Sequence, residues 1–567
     1  MLKDEIKRVI KGDVEDASSV LDKYSHDYSI FEMRPELIVY PKDSTDIKAL
    51  VKFLNAKRNE EGYIYLSVTA RAAGTDMAGG PLGESIILDT TRYMQGVTEV
   101  RKVKLGKQRS HDGMNFDIAG TATVLPGTYY RDFEIETLKQ GLIMPCFPAS
   151  REICAVGGMV ANNGAGEKSL KYGQNKDFVK SLKVILDDGE EYVIEPINKQ
   201  ELEAIILEDN RLAEIYRKTW NLIKRNYDDI KSARPKTTKN SSGYLLWDVW
   251  DASTEIFDGT KLFVGAQGTT GIITEITYKL VADEKHSTLL VVFLKDLKLI
   301  PELTHRLMKE DVETLEVYDD HTMKFAIKFF GSFLRDKGII GSIKYAWQFL
   351  PEFLMVLSGG MPKLIVLAEF VSDDEQGLFR EALLAENRLK DLGLKTRITK
   401  TREERNKYFA IRHDSFKLLS DHSKDLRTAP FIDDVVVPVD KLPEYWPELV
   451  RILDENKILY TVAGHLGDGN LHVVPLMDFS DPRTADKIMK ISAQIYPMVK
   501  KFGGSMTAEH NDGLIRTPYL PMMFGDKIAG VFKEFKEITD PHNMWNPRKK
   551  VGATLADIEK YIIKPKK

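Results

Sequence analysis

The chain has 567 residues, 43% hydrophobic and 29% charged, with a net charge of −4 and two cysteines, Cys146 and Cys154. That length exceeds one core and predicts two or three domains. The charge gives no basic footprint for nucleic acid. Two cysteines exclude a cysteine-ligated iron–sulfur cluster or a disulfide framework, and fit a reducing compartment. No run approaches the roughly 18 uninterrupted apolar residues of a membrane span, and Met1–Arg8 is charged where a signal peptide would be apolar. The expected address is cytoplasmic.

In chain order, residues 1–22 predict a short amphipathic helix and Glu36–Pro41 a strand with a turn. Ser44-Thr45-Asp46 predicts the cap of a helix running to about Arg58, with Ile47, Leu50, Val51 and Leu54 on one face. A strand over Tyr63–Val68 leads into the small-residue loop Ala70-Arg71-Ala72-Ala73-Gly74-Thr75-Asp76-Met77-Ala78-Gly79-Gly80. Such a loop after a strand lets backbone N–H groups close around an anion such as a pyrophosphate. It is not a Rossmann fingerprint, and no Walker lysine follows; alone, it is also what a tight turn looks like.

Gly120–Gly127 predicts a strand ending in a Pro-Gly turn, and Arg131–Gln140 a helix stopped by Gly141. Pro145–Ser150 and Val156–Gly166 follow, the second able to lay bare backbone against a planar ring. Val179–Leu186 predicts a strand turned by Asp187-Asp188-Gly189. After helical pattern near 198–232 come Lys239–Tyr244 and Gly265–Ile273. Four small-residue loops at strand ends, in order, are a much stronger signal than one.

Apolar strands at Thr288–Leu294 and Lys363–Phe370, alternating with helices, predict an antiparallel sheet. Between them, Lys324–Leu357 is rich in Phe, Trp and Ile, with five basic residues against two acids. Such a stretch suits helices packed on the domain, an anionic membrane surface or a partner. Further on stands His465-Leu466-Gly467-Asp468-Gly469-Asn470-Leu471-His472, completed by Glu509-His510. A hairpin loop at 467–470 would pair Leu466 with Leu471 and His465 with His472. Opposed Cβ atoms lie roughly 4.5–5.5 Å apart, so the two imidazoles would suit one metal ion with room for an oxygen ligand. Two surface histidines on a hairpin are the plain alternative.

Residues 24–285 resemble the FAD-binding domain of the vanillyl-alcohol-oxidase type, in which two α+β subdomains clasp the dinucleotide. Residues 286–567 resemble the C-terminal part of the FAD-linked D-2-hydroxy acid dehydrogenases, which act on D-lactate, D-2-hydroxyglutarate or glycolate. The most specific element is H-x-G-D-G-N-L-H with E-H. Asp540–Lys549 is similar to the family's closing D-P-x-x-x-x-N-P-G-K, and Phe431–Pro438 to the branch that works with an iron–sulfur partner domain. The sequence departs at Ala72-Ala73, where the family has Gly-Gly, and at Gln267, Asn511 and Arg548, which replace Glu, Gly and Gly.

The resemblance implies an α+β fold, with an N-terminal helical segment (1–23), a two-subdomain FAD-binding domain (24–285), an α+β cap with an antiparallel sheet (286–500) and a segment returning to the active site (501–567). It implies FAD contacts from Arg71, Ala72, Ala73, Gly74, Thr75, Asp76, Gly79 and Gly80. Others would come from Pro126, Pro148, Ser150, Gly157, Gly158, Asn163, Gly166, Tyr172 and Gly173, and from Gly271, Ile272, Ile273 and Asn546. With no histidine in the first loop, the FAD is expected to be non-covalent.

By the same resemblance, His465, His472 and Glu509 hold a divalent metal, zinc or manganese, that acts as a Lewis acid on the substrate hydroxyl. His510 is the expected general base, a task that suits an imidazole titrating near neutrality. Arg412 is expected to grip the substrate carboxylate with its guanidinium fork. The implied activity is oxidation of a small D-2-hydroxy acid, D-lactate ahead of D-2-hydroxyglutarate or glycolate. The ordering rests on Ile432, which offers no counterpart to a lysine of the hydroxyglutarate branch. Electrons would leave to a quinone, an electron-transfer flavoprotein or an iron–sulfur subunit, on the cytoplasmic face of the membrane if 324–357 docks there. The competing readings are a non-redox enzyme resembling alkylglycerone-phosphate synthase and a flavin-binding scaffold subunit.

Overall fold

A computed structural model describes residues 2–109, 115–328, 360–409, 411 and 426–564. The chain divides into two units, one of residues 2–283 and 505–564, the other of the described residues of 284–504. Both mix helices with sheets, so the α+β expectation holds.

Among its described residues the first unit contains a small three-stranded sheet of Pro196–Asn198, Ile256–Asp258 and Trp250–Asp251 and two larger sheets, each of these two with its own core. The smaller of these two has the strand order Asp13–Glu15, Leu37–Tyr40, Ile86–Asp89, Val68–Arg71, with the last three mutually parallel. Leu37–Tyr40 and Ile86–Asp89 are buried along their whole length, as parallel strands covered on both faces must be. The helix Ser44–Lys57 packs Ile47, Leu50, Val51 and Leu54 into this core. Its N-cap is Asp43, whose carboxylate accepts from the N–H groups of Thr45 and Asp46 at 2.8 and 3.3 Å; the expected cap was one residue later.

The larger sheet is antiparallel, in the order Val97–Arg109, Asn115–Val124, Ile272–Ala282, Val179–Ile185, Glu191–Ile194, with Leu142–Ile143 also paired to Ile272–Ala282. Its core includes Tyr130, Phe133, Phe178 and Tyr278. The C-terminal segment returns to the smaller sheet: Val68 N–H donates to Met544 O at 2.8 Å and Asn546 N–H to Val68 O at 3.0 Å.

Three local expectations for this unit are corrected. Residues 1–22 are not one helix: Leu2–Val9 and Ser18–Tyr24 flank the strand Asp13–Glu15. Glycine at position 12 allows this, since a Cβ there would lie 2.1 Å from Tyr40 O. The expected strand Tyr63–Val68 begins only at Val68, where Ile86 and Met544 supply partners; Leu66 N–H instead turns back onto Tyr63 O. Finally, Val156–Asn162 is a helix, ended by Asn163 in the left-handed conformation.

The second unit is built on an antiparallel sheet ordered Lys395–Ile398, His286–Leu294, Leu364–Ser372, Thr314–Asp319, Leu459–His465, Asn470–Met477, Arg427–Thr428, with Val435–Val436 also paired to Asn470–Met477. Within these strands Leu289–Leu294 and Leu364–Ala368 are continuously apolar and buried, as stretches covered on both sheet faces are. Leu289, Val291 and Phe293 pack with Met323, Tyr408 and Ile411, and the helix Glu375–Arg388 packs against the same strands. Of the basic stretch 324–357, residues 324–328 close the helix Asp320–Lys328; the remainder lies outside the described residues, so its expected membrane or partner contact has no structural account.

Candidate functional site

In the first unit the small-residue loops converge. The loop after Val68–Arg71 is shaped by Asp76, whose carboxylate accepts from the N–H groups of Ala78 (3.2 Å) and Gly80 (2.6 Å) and from Asn162 Nδ2 (2.9 Å). Ala72 and Ala73 manage without positive φ, and Gly74 (φ 69°) makes the turn. Among the described residues, the N–H groups of Ala73, Gly74 and Thr75 donate to no protein acceptor. Consecutive main-chain donors of this kind suit an anion such as a pyrophosphate.

The neighbouring loops approach at backbone distance. A Cβ on Gly157 would lie 2.8 Å from Pro126 O, one on Gly158 would lie 3.5 Å from Ala72 Cβ, and one on Gly271 would lie 2.9 Å from Ile185 O. Ile272 is buried in the smaller sheet's core, and Ile273, half-buried, packs against the larger sheet's core. Asn546 ties three segments, donating to Gly80 O (2.9 Å) and Gln267 O (2.7 Å) and accepting from Thr69 Oγ1 (3.2 Å). Pro148, Gly166, Tyr172 and Gly173 form an adjoining group. A Cβ on Gly166 would lie 2.1 Å from Phe147 O, Tyr172 stacks edge-on against Phe116, and Ser150 O caps the turn to Cys154. Arg71 stands apart in role. Its guanidinium donates to Tyr24 O and His26 O and lies over the Tyr24 ring, so the side chain anchors the entry segment. Burial lowers its pKa.

Several residues of this unit were noted in the sequence only as departures, or missed. Asn511, at φ 70°, donates to Asn162 O (3.0 Å) and Gly265 O (2.9 Å), so it supplies both the backbone freedom of glycine and a cross-link between loops. Gln267, at φ 52°, accepts from Gly513 N–H at 2.9 Å and donates to Asn162. Asn163, by contrast one of the expected FAD contacts, is fully buried and, through Oδ1, accepts from Lys176 N–H. Gln174 donates to Asn163 O and Ala508 O and accepts from Asn240 N–H. Asn and Gln at turn positions are the one sequence signal that would have pointed to them. Beneath them lies a wholly buried ion pair, Lys550 Nζ to Asp512 Oδ2 at 2.9 Å, with Ser241 O and Gly243 O completing the ammonium's partners.

Glu509 and His510 follow directly. Glu509 is buried and accepts from Lys239 Nζ at 3.4 Å; His510 is half-buried, its Nε2 3.9 Å from Glu509 Oε1. Lys239 was not assigned a role in the sequence.

In the second unit, His465 and His472 come together by a different register from that expected. Leu466–Asp468 form a 3₁₀ turn closed by Gly469 at φ 69°, so His465 opposes Asn470, and His472 opposes Ala463. The loop therefore spans 466–469. Buried Leu466 is drawn into it, and a side chain at 469 would strike Val437 O, 1.9 Å from an ideal Cβ. The histidines occupy a diagonal pair on one face, still within reach for rings, with centroids 5.2 Å apart.

Each ring is oriented by a buried carboxylate. His465 Nδ1 lies 2.6 Å from Glu316 Oε1, and His472 Nδ1 lies 3.2 Å from Asp433 Oδ1. Carboxylates accepting Nδ1–H select the tautomer whose Nε2 carries the lone pair, the arrangement typical of metal-binding histidines. Asp434 Oδ is within 4.8 Å of a His472 ring nitrogen, at φ 69° and accepting from Asn470 Nδ2. The donor set of two imidazoles with acidic oxygens fits a borderline divalent ion. Arg412 lies outside the described residues.

Residues 35–195 match the model of an FAD binding domain, and residues 283–550 that of the FAD linked oxidases, C-terminal domain. The chain is 25% identical to the D-2-hydroxyglutarate dehydrogenase of Pseudomonas putida over 92% of its own length and 49% of the relative's; it thus spans about half of that protein. It is 24% identical to the D-lactate dehydrogenase of Anaerostipes hadrus, over 96% of this chain and 94% of the relative. Among solved structures it is similar to p-cresol methylhydroxylase with substrate bound, with a TM-score of 0.66 at 14% identity over 98% of this chain and 96% of that one. That likeness establishes the fold.

Proposed function

We propose that this chain, whose residues 35–195 match an FAD binding domain and 283–550 the FAD linked oxidases, C-terminal domain, oxidises a small D-2-hydroxy acid, D-lactate first, to the 2-oxo acid. The observation that carries this reading is the oriented histidine pair of the second unit, in a chain whose first unit is an FAD-binding domain. When bound, FAD supplies a hydride acceptor and a divalent ion a Lewis acid for the 2-hydroxyl.

The protein's own work is binding, orientation and proton transfer. Glu316 and Asp433 hold the rings of His465 and His472 as ligands, with Glu509 as the third ligand. His510 takes the hydroxyl proton, and Arg412 grips the carboxylate. Lys239, paired with Glu509 at 3.4 Å, aims that carboxylate. Burial of Ile432 supports D-lactate over D-2-hydroxyglutarate, since an apolar, fully covered side chain there offers no cation to a second carboxylate. The electrons leave through an external acceptor: a quinone, an electron-transfer flavoprotein or an iron–sulfur subunit.

The test is anaerobic mixing of the yellow holoprotein with D- and L-lactate, D-2-hydroxyglutarate and glycolate. D-lactate is expected to bleach the flavin and L-lactate to leave it oxidised. Equal rates with both hands, or no bleaching by any of the four, would refute the assignment.

A further inference from the structure

On the larger sheet of the first unit, the strand Ile272–Ala282 presents Lys279 to a cleft of about 400 Å³, which Lys176, Lys180, Lys261, Asp177, Asp258 and Glu195 also line. The Lys279 amine donates to Gln108 Oε1 at 2.7 Å, and Gln108 is aimed by its own Nε2, which donates to Asp177 O at 3.0 Å. Among the described residues no carboxylate lies within the 4.0 Å salt-bridge range of this amine. Its neighbours differ: Lys261 pairs with Asp258 at 3.0 Å and Lys176 with Asp248 at 2.5 Å. Lys279 therefore has a neutral acceptor, partial burial and a like charge beside it.

Burial first, and then the Lys261 ammonium, bring its pKa down to about 8, against the opposing pull of Asp177 and Asp258. Desolvation beside another cation is a recognised way to make a lysine nucleophilic. Relative to an ordinary lysine, the neutral fraction at pH 8 is larger by on the order of a hundredfold. With Lys279 neutral the lining holds three other lysines against three carboxylates, so an anionic donor meets no net negative charge.

We propose that Lys279 is a nucleophilic amine that accepts the acyl group of a small acyl phosphate. The neutral nitrogen attacks the acyl carbon, an amide N–C bond forms, and the C–O bond to phosphate breaks. Inorganic phosphate leaves with the electron pair, and the nitrogen's surplus proton passes to it or to solvent. Nothing is oxidised or reduced. The hydrogen-bond partner of the Lys279 amine among the described residues, Gln108, belongs to none of the loops assigned above to FAD or to the metal, so this is a second chemistry of the FAD-binding unit, independent of the hydroxy-acid reading.

The experiment is timed exposure of the full-length holoprotein to acetyl phosphate from pH 7 to 10, with peptide mapping by mass spectrometry. Lys180, exposed on the same cleft, serves as internal reference. At pH 8 Lys279 is expected to be acetylated at least about tenfold faster than Lys180, a lower bound because its reduced basicity offsets part of the gain. Its rate should level off above pH 9 while that of Lys180 keeps climbing. Lys279→Arg should remove the fast site and leave the flavin spectrum unchanged. Equal rates at the two lysines, or a Lys279 rate still rising at pH 10, would overturn the proposal on the wild-type protein alone, whatever the variant does.

Discussion

Glu316→Gln isolates the device that orients the histidine pair. Glu316 lies on Thr314–Asp319 directly opposite His465, is fully buried, and accepts from its Nδ1 at 2.6 Å. Glutamine preserves volume and can still present a carbonyl oxygen, but the charge is lost, and with it the stronger bond to the ring. Loss of such a carboxylate typically costs about 10–100-fold in metal affinity, which is about 1.4–2.7 kcal/mol. The short contact and complete burial place the expectation toward the upper end, since a charge-assisted bond is roughly twice as strong as a neutral one. Affinity would be read by competition with a chelator of known strength, with bound metal counted by elemental analysis. Flavin content should not change, because the FAD-binding loops belong to the other unit. Activity should fall at limiting metal and return when zinc or manganese is in excess. Unaltered metal affinity, or loss of flavin together with metal, would refute the reasoning.

His510→Ala is expected to retain metal and flavin yet slow flavin reduction by roughly 10²–10⁴-fold, measured by anaerobic stopped flow; loss of metal would make His510 a ligand instead. Asn511→Gly keeps the left-handed backbone but removes the two bonds to Asn162 O and Gly265 O. At about 0.5–1.5 kcal/mol each, FAD should dissociate about 5–150-fold more readily, as followed by flavin fluorescence on dilution. Lys550→Met leaves Asp512 buried without its ammonium and should destabilise the fold by about 3–5 kcal/mol, visible as a lower denaturant midpoint.

Local pattern carried the elements whose cause is local. The buried strands of both units, the helix Ser44–Lys57 and the succession of small-residue loops were legible because period, turn residues and absent side chains act within a few residues of each other. The same holds for the two histidines, whose spacing across a glycine-rich turn implies a hairpin. The register was not legible. Leu466 reads as the end of a strand until the core claims it, and that one-residue shift changes an opposed pair into a diagonal one.

The remaining features depend on partners far away in the chain. Val68 rather than Tyr63 begins its strand because Ile86 and Met544 are there to bond. In the sequence Asn511 is only a departure from the family's glycine, and its position between Asn162 and Gly265 turns the amide into a cross-link. Glu316, 149 residues before His465, is one glutamate among many until the sheet sets it opposite the ring. The sequence by itself determined the class of chemistry, through residue types whose meaning is local. The tertiary structure decided which carboxylates orient the histidines and which amides bind the loops together, because burial and hydrogen-bond partners are properties of chain crossings that no short window of sequence contains.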